Sequence, residues 1–227
     1  MRRRGLSVAL IGCDGAGKTT VARALEREPD LQVRYLYMGV NADSSNRLLP
    51  TTRLAHRVKS ARGGRSRAAG RGEPAAAATR TLVRSARRAI RSGLRLANRV
   101  AEEWYRQLVA TVHLLRGRTV VFDRHFTADY HAADVAAPQR TLSRRMHGFL
   151  LTRLYPRPDL LILLDAPAEV LFARKREGQI DSLARRRAEY RQLGSLHPRF
   201  AVVEATEPVE AVVARVAGII REYGART

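Results

Sequence analysis

The chain is short of cysteine, lysine, acidic side chains and long apolar runs, and each shortage excludes a class of protein. Its 227 residues hold one cysteine, Cys13, so no intrachain disulfide can form and a reducing, cytoplasmic setting is expected. Every apolar stretch falls well below the ~18 residues that a membrane-spanning helix needs. Met1-Arg2-Arg3-Arg4 leads directly into an apolar run that ends in a glycine-rich loop. Cleaving that run as a signal peptide would destroy the loop, so the arginines read as a solvated tail. Acids number 21 against 42 basic residues, for a net charge of +21, and only Lys18, Lys59 and Lys175 are lysines. A surface this cationic attracts polyanions or anionic membrane in a salt-dependent way. The histidines (His56, His113, His125, His131, His147, His197) are scattered without metal-ligand spacing and read as structural or surface groups.

What the chain does have begins at residue 12. Gly12-Cys13-Asp14-Gly15-Ala16-Gly17-Lys18-Thr19 follows the apolar run Leu6-Ser7-Val8-Ala9-Leu10-Ile11 and precedes a helical pattern. The spacing G-x-x-x-x-G-K-[ST] at a strand–helix junction is that of a loop whose backbone N–H groups cradle a polyphosphate. Lys18 adds a point charge near the β and γ phosphates, Thr19 offers a hydroxyl to Mg²⁺, and the helix N-terminus faces the anion. Gly12, Cys13, Asp14, Gly15, Ala16, Gly17, Lys18, Thr19 and Thr20 are therefore the expected ATP-binding residues, with Mg²⁺ as companion ion.

Hydrophobic patterning predicts strands over 6–11, 33–38, 119–122, 160–164 and 201–204. Helices are expected over 18–28, 79–115, 140–155, 168–176, 182–193 and 209–223. In the long pattern Val83, Ala86, Ile90, Leu94, Ala97, Ala101, Trp104, Leu108, Val112 and Leu115 recur every three or four residues, as one helix or two bent near Gly93. Trp104 is expected in the core. Residues 41–78 read as irregular, and 53–99 carry fourteen Lys or Arg against one acid, Glu73. The alternation of strand and helix predicts an α/β, three-layer phosphate-loop NTPase fold: a mostly five-stranded parallel sheet with helices on both faces, in one domain over 1–227. Ligands of such sheets bind beyond the carboxyl ends of the strands, where the loop, Asp123-Arg124 and Asp165 all fall.

Asp123 ends the strand Thr119-Val120-Val121-Phe122. A carboxylate there can hold Mg²⁺ directly or through water, and Arg124 beside it can grip a second phosphate with two prongs. The plainer alternative is an ion pair at the sheet rim. Ala173-Arg174-Lys175-Arg176-Glu177-Gly178, within a candidate lid over 173–182, could bring Arg174 or Arg176 to the transferring phosphoryl group. The same cations could simply complement a helix dipole. On this reading Lys18, Asp123, Arg124, Arg174 and Arg176 are the catalytic candidates, and Thr19 and Asp123 the metal ligands.

Three segments together resemble the thymidylate kinase family of nucleoside monophosphate kinases: 12–20, Gly117 through His125, and Pro158-Asp159-Leu160 through Val170. The resemblance spans 5–38 and 98–222. It implies an ATP-dependent transfer of the γ-phosphoryl group to dTMP or a related nucleoside monophosphate, with Asp14 near the acceptor sugar, Arg124 on the acceptor phosphate, and a homodimer. The chain departs from the family where the acceptor is read. Tyr37-Met38-Gly39-Val40-Asn41 stands where an Arg-Glu-Pro-Gly-Gly segment is usual, Gly15 where some members have arginine, and the arginine-rich stretch 41–100 has no counterpart. Two other readings follow: a same-fold kinase for a sugar, glycan or lipid-linked acceptor, and a nucleotide-gated module that meets anionic membrane or nucleic acid through 53–99. Against the latter, a basic face in solvent with its apolar stripe packed on the sheet is the commoner arrangement.

Overall fold

The computed structural model describes residues 4–39, 77–176, 179–195 and 197–226. Of the stretch expected to be irregular, 41–78, residues 77–78 already belong to a helix, while 41–76, the basic segment 53–76 and lid positions 177–178 lie outside the described residues.

Five strands form one parallel sheet in the order β2-β3-β1-β4-β5. They are β1 (Ser7–Ile11), β2 (Val33–Tyr37), β3 (Thr119–Asp123), β4 (Leu160–Asp165) and β5 (Phe200–Glu204). Every residue of β1 and β4 is buried. Successive strand residues point to opposite faces, so unbroken burial means that both faces are covered. The register pairs Leu10 with Asp123 and Ile11 with Leu163, which sets the ends of β1, β3 and β4 side by side.

Helices α1 (Lys18–Leu25), α2 (Ala77–Leu115), α3 (Phe126–Tyr130), α4 (Leu142–Arg153), α5 (Ala168–Lys175), α6 (Ile180–Ser195) and α7 (Val209–Arg226) surround the sheet. The apolar faces of α1 (Val21, Leu25) and α7 (Val212, Val216, Ile220) join the same core as the strands. The pattern over 79–115 proves to be one continuous helix that passes Gly93 unbroken. Two short pieces had no legible pattern: α3, and the π-helical turn His131–Ala136 that follows it.

The orientation of α2 reverses the expectation. Glu102, Glu103, Arg106 and Gln107 are buried, whereas Leu94, Trp104, Leu108 and Leu115 are exposed, Trp104 by 42%. Glu102, Glu103 and Arg106 offset their desolvation cost through partners. His147 bridges Asp134 (Nδ1 to Oδ2, 2.7 Å) and Glu103 (Nε2 to Oε2, 3.0 Å), and the Tyr155 hydroxyl donates to Glu103 at 2.8 Å. Arg106 donates to the Gly39 carbonyl (2.9 Å) and to Glu102 (3.2 Å). This buried network pins α2 to α4 and to the π-helical turn.

Candidate active site

The loop after β1 is shaped by close backbone approach. Gly12 has φ 144°, and a Cβ there would lie 2.4 Å from the Leu164 carbonyl oxygen. Gly15 has φ 89°, and its Cβ would lie 2.8 Å from that of Leu171. Side chains are excluded at both positions, so the loop nests against the end of β4 and against α5. Lys18 starts α1, and its Nζ donates to the Gly12 (2.9 Å) and Cys13 (2.6 Å) carbonyls. Burial, followed by the nearby Arg124 cation, pulls Lys18 down to about 8 despite Asp14, Asp123 and Asp129. The Cys13 thiol is buried and faces the Leu183 carbonyl at 3.7 Å. Burial pushes its pKa up, against Lys18 and Arg186.

Asp123 sits at the adjoining strand end with no exposed surface. Its Oδ2 accepts from the Thr19 hydroxyl at 2.6 Å and the Tyr35 hydroxyl at 3.1 Å. Its Oδ1 is buried and accepts no hydrogen bond among the described residues. A buried carboxylate oxygen left open beside a hydroxyl suits a hard, oxygen-seeking cation. The donor set of Asp123 and Thr19 therefore fits Mg²⁺.

Arg124 leaves β3 in the left-handed region, with φ 64°. For a non-glycine residue this is a strained turn of a kind that clusters at functional sites. It carries the guanidinium across to Asp14, with which it forms a short ion pair. Burial raises the Asp14 carboxyl, but Arg124 and then Lys18 outweigh it and hold the group below its ordinary value. Asp129, on α3, is raised by burial against the pull of Arg124, Lys18 and Arg186, so it belongs to the same electrostatic cluster. It also lines a cavity of about 320 Å³ with His131, Arg186 and Tyr190.

The structure brings together Gly12 through Thr19, Asp123 and Arg124. The lid arginines take different positions. Arg174 donates to the Ala205 carbonyl at 2.7 Å and lines a second cavity, about 290 Å³, with Gly15, Gly17, Thr20 and Val209. Arg176 is exposed and caps α5 in a left-handed conformation, φ 52°. Asp165, at the end of β4, is held by Arg187 (Nε to Oδ1, 2.5 Å) and Arg191 of α6. Five residues of the cleft carry no motif: Tyr35, Arg106, Asp129, Arg186 and Tyr190. Only the proximity of Asp129 to the Asp123-Arg124 pair could have marked one of them.

No family model matches the sequence. Among solved structures, the chain superimposes on a deoxyadenosine kinase from M. mycoides, solved with dCMP as product and a flexible dCDP bound. The TM-score is 0.52 at 14% identity, over 95% of this chain and 98% of that one. At that identity the likeness shows a shared fold, here a five-stranded parallel sheet with helices around it. The described helices include none long and apolar enough to cross a membrane.

Proposed function

We propose that this chain is an ATP- and Mg²⁺-dependent phosphotransferase that carries the γ-phosphoryl group to a nucleoside monophosphate, dTMP or a related nucleotide. The observation that carries the reading is the convergence of three elements on one strand edge: the glycine loop with buried Lys18, the Thr19–Asp123 corner, and Arg124 braced by Asp14. When bound, Mg²⁺ supplies charge neutralisation between the phosphates. Lys18 holds a positive charge in a buried setting where electrostatic stabilisation is strong. Asp123 and Thr19 would hold the metal. Arg124 orients the acceptor phosphate, and Asp14 keeps the guanidinium aimed. Arg174, beside the loop-side cavity, steadies the nucleotide from its base end, while Arg176 is free to approach from the end of α5. The cavity next to Asp129 takes the acceptor base, with Tyr190 as a ring surface.

A second reading is favoured by the shared fold with a deoxyadenosine kinase: the acceptor is a deoxynucleoside hydroxyl rather than a phosphate. ADP release measured with ATP·Mg²⁺ over a panel of deoxynucleosides and their monophosphates separates the two. Turnover with monophosphates alone, and an acceptor KM that rises in Arg124→Ala while ATP binding is kept, supports the first reading. Turnover confined to nucleosides moves the assignment to the second. Turnover with neither class, or a fully active Lys18→Ala, sinks both.

A further inference from the structure

Tyr35 is braced by α1 on one side and by β3 on the other. It lies on β2 and pairs with Val121 in the register of the sheet. Its backbone N–H donates to Glu26 Oε1 at 2.9 Å, and the Arg23 guanidinium lies over its ring, 5.6 Å from the centroid. Arg23 belongs to the last turn of α1, and Glu26 caps that helix. The Tyr35 hydroxyl donates to Asp123 Oδ2 at 3.1 Å. Asp123 stands beyond Val121 on β3, so the side chain has to reach about 7 Å along the sheet, the span of two strand residues. A phenol has that length.

The contact decides which oxygen of Asp123 is occupied. A fully buried carboxylate is costly without donors. Thr19 of α1 and Tyr35 of β2 both donate to Oδ2, while Oδ1 is buried and accepts no hydrogen bond among the described residues. The terminal torsion of an aspartate is broad. Two donors arriving from different elements fix it, where one alone would leave the carboxylate room to turn.

We infer that Tyr35 is a positioning residue for the magnesium corner: by holding Oδ2, it presents Oδ1 of Asp123 as the open donor to the ion that accompanies the nucleotide. The inference rests on the metal-dependent reading of the site and gives a role within it to a residue that carries no motif. Outer partners of a ligating carboxylate orient it and tune the affinity for the metal. Packing alone does not account for the hydroxyl, since a phenylalanine ring would fill the same space and still lie under Arg23. The brace also joins the parts of the site that have to stay in register. Helix α1 carries Lys18 and Thr19 in its first turn and Arg23 in its last, so one side chain ties that helix to β2 and to the end of β3. The inference does not depend on which acceptor the cleft takes, because it concerns the donor and its metal.

Tyr35→Phe keeps the ring and removes the hydroxyl. Calorimetry of the full chain with ADP, in EDTA and over a range of Mg²⁺, tests the assignment without turnover. The variant should bind ADP in EDTA as the wild type does, while the Mg²⁺ concentration that half-restores metal-dependent ADP binding rises by about tenfold. Mn²⁺ binding in the presence of ADP, counted by electron paramagnetic resonance, should show the same shift. In an Asp123→Ala background the exchange should add nothing, because a residue that acts through Asp123 then has no carboxylate to hold. An unchanged metal dependence, an equal loss of metal-free and metal-bound ADP, or the same further loss in Asp123→Ala overturns the assignment. A wild type whose ADP binding ignores Mg²⁺ defeats the metal-dependent reading itself, before Tyr35 is altered.

Discussion

The Thr19 hydroxyl and the Asp123 carboxylate meet at 2.6 Å, joining the first turn of α1 to the end of β3. The contact leaves Oδ1 of Asp123 buried and open. Asp123→Asn keeps an oxygen that can accept from Thr19 and Tyr35 but removes the charge. It should lower kcat by about 100-fold or more and raise the Mg²⁺ concentration needed for half activity. A magnesium titration of initial rates checks this, and an unchanged midpoint would remove Asp123 from the metal corner.

Lys18 makes a proton-linked prediction. In the free protein it is drawn down to about 8, chiefly by burial. A bound polyphosphate restores the charged form, so nucleotide binding should take up a proton above that value and nearly none about two pH units below it. Calorimetry in buffers of different ionisation heat measures the uptake. Uptake that persists in Lys18→Met would assign the proton to another group.

Gly39 lies just past the end of β2, beside Arg124. A Cβ on it would come within 2.5 Å of both Arg124 Cδ and the Tyr37 hydroxyl. Gly39→Ala should therefore displace Arg124 and raise the acceptor KM by about tenfold, with the ATP KM unmoved. Equal changes in both constants would mean that the loop itself had shifted.

His147 gives a pH signature of stability. Burial alone would lower it, but Glu103 and then Asp134 outweigh burial and raise it above its ordinary 6.5. A raised histidine stabilises fully below the unfolded value and loses that contribution as pH climbs through the folded one. The gap in unfolding free energy between wild type and His147→Gln should be widest near pH 6, at about 3 kcal/mol, and narrow in alkali. His125, pulled to about 3 by burial, costs stability as pH falls below its unfolded value of 6.5, but it does so equally in both proteins and cancels from the gap. Urea melts across pH measure the gap, and a constant gap would place a neutral imidazole between the carboxylates.

The strands and the phosphate loop were legible because their signals are local. Leu160 through Leu164 is apolar without interruption, and Gly12 to Thr19 has its fixed spacing. The Asp123-Arg124 pair was legible as a strand end, but its partners Tyr35 and Asp129 were not, since they arrive from other elements. The stretch 126–136 is too short for a period to register. The course of α2 was legible from its repeat, but its facing was not. Periodicity locates a stripe and leaves open what the stripe meets. Only the pairing of Glu103 with His147 and of Arg106 with Gly39 shows that the polar side turns inward.

Cys13 carries a practical consequence. Sheathed by the main chain and kept in its neutral form, the molecule's lone sulfhydryl should react slowly with alkylating dyes. A reporter cysteine introduced on the outer surface can thus be tagged selectively while the native one stays in place, so fluorescence or spin-label work need not disturb the nucleotide loop.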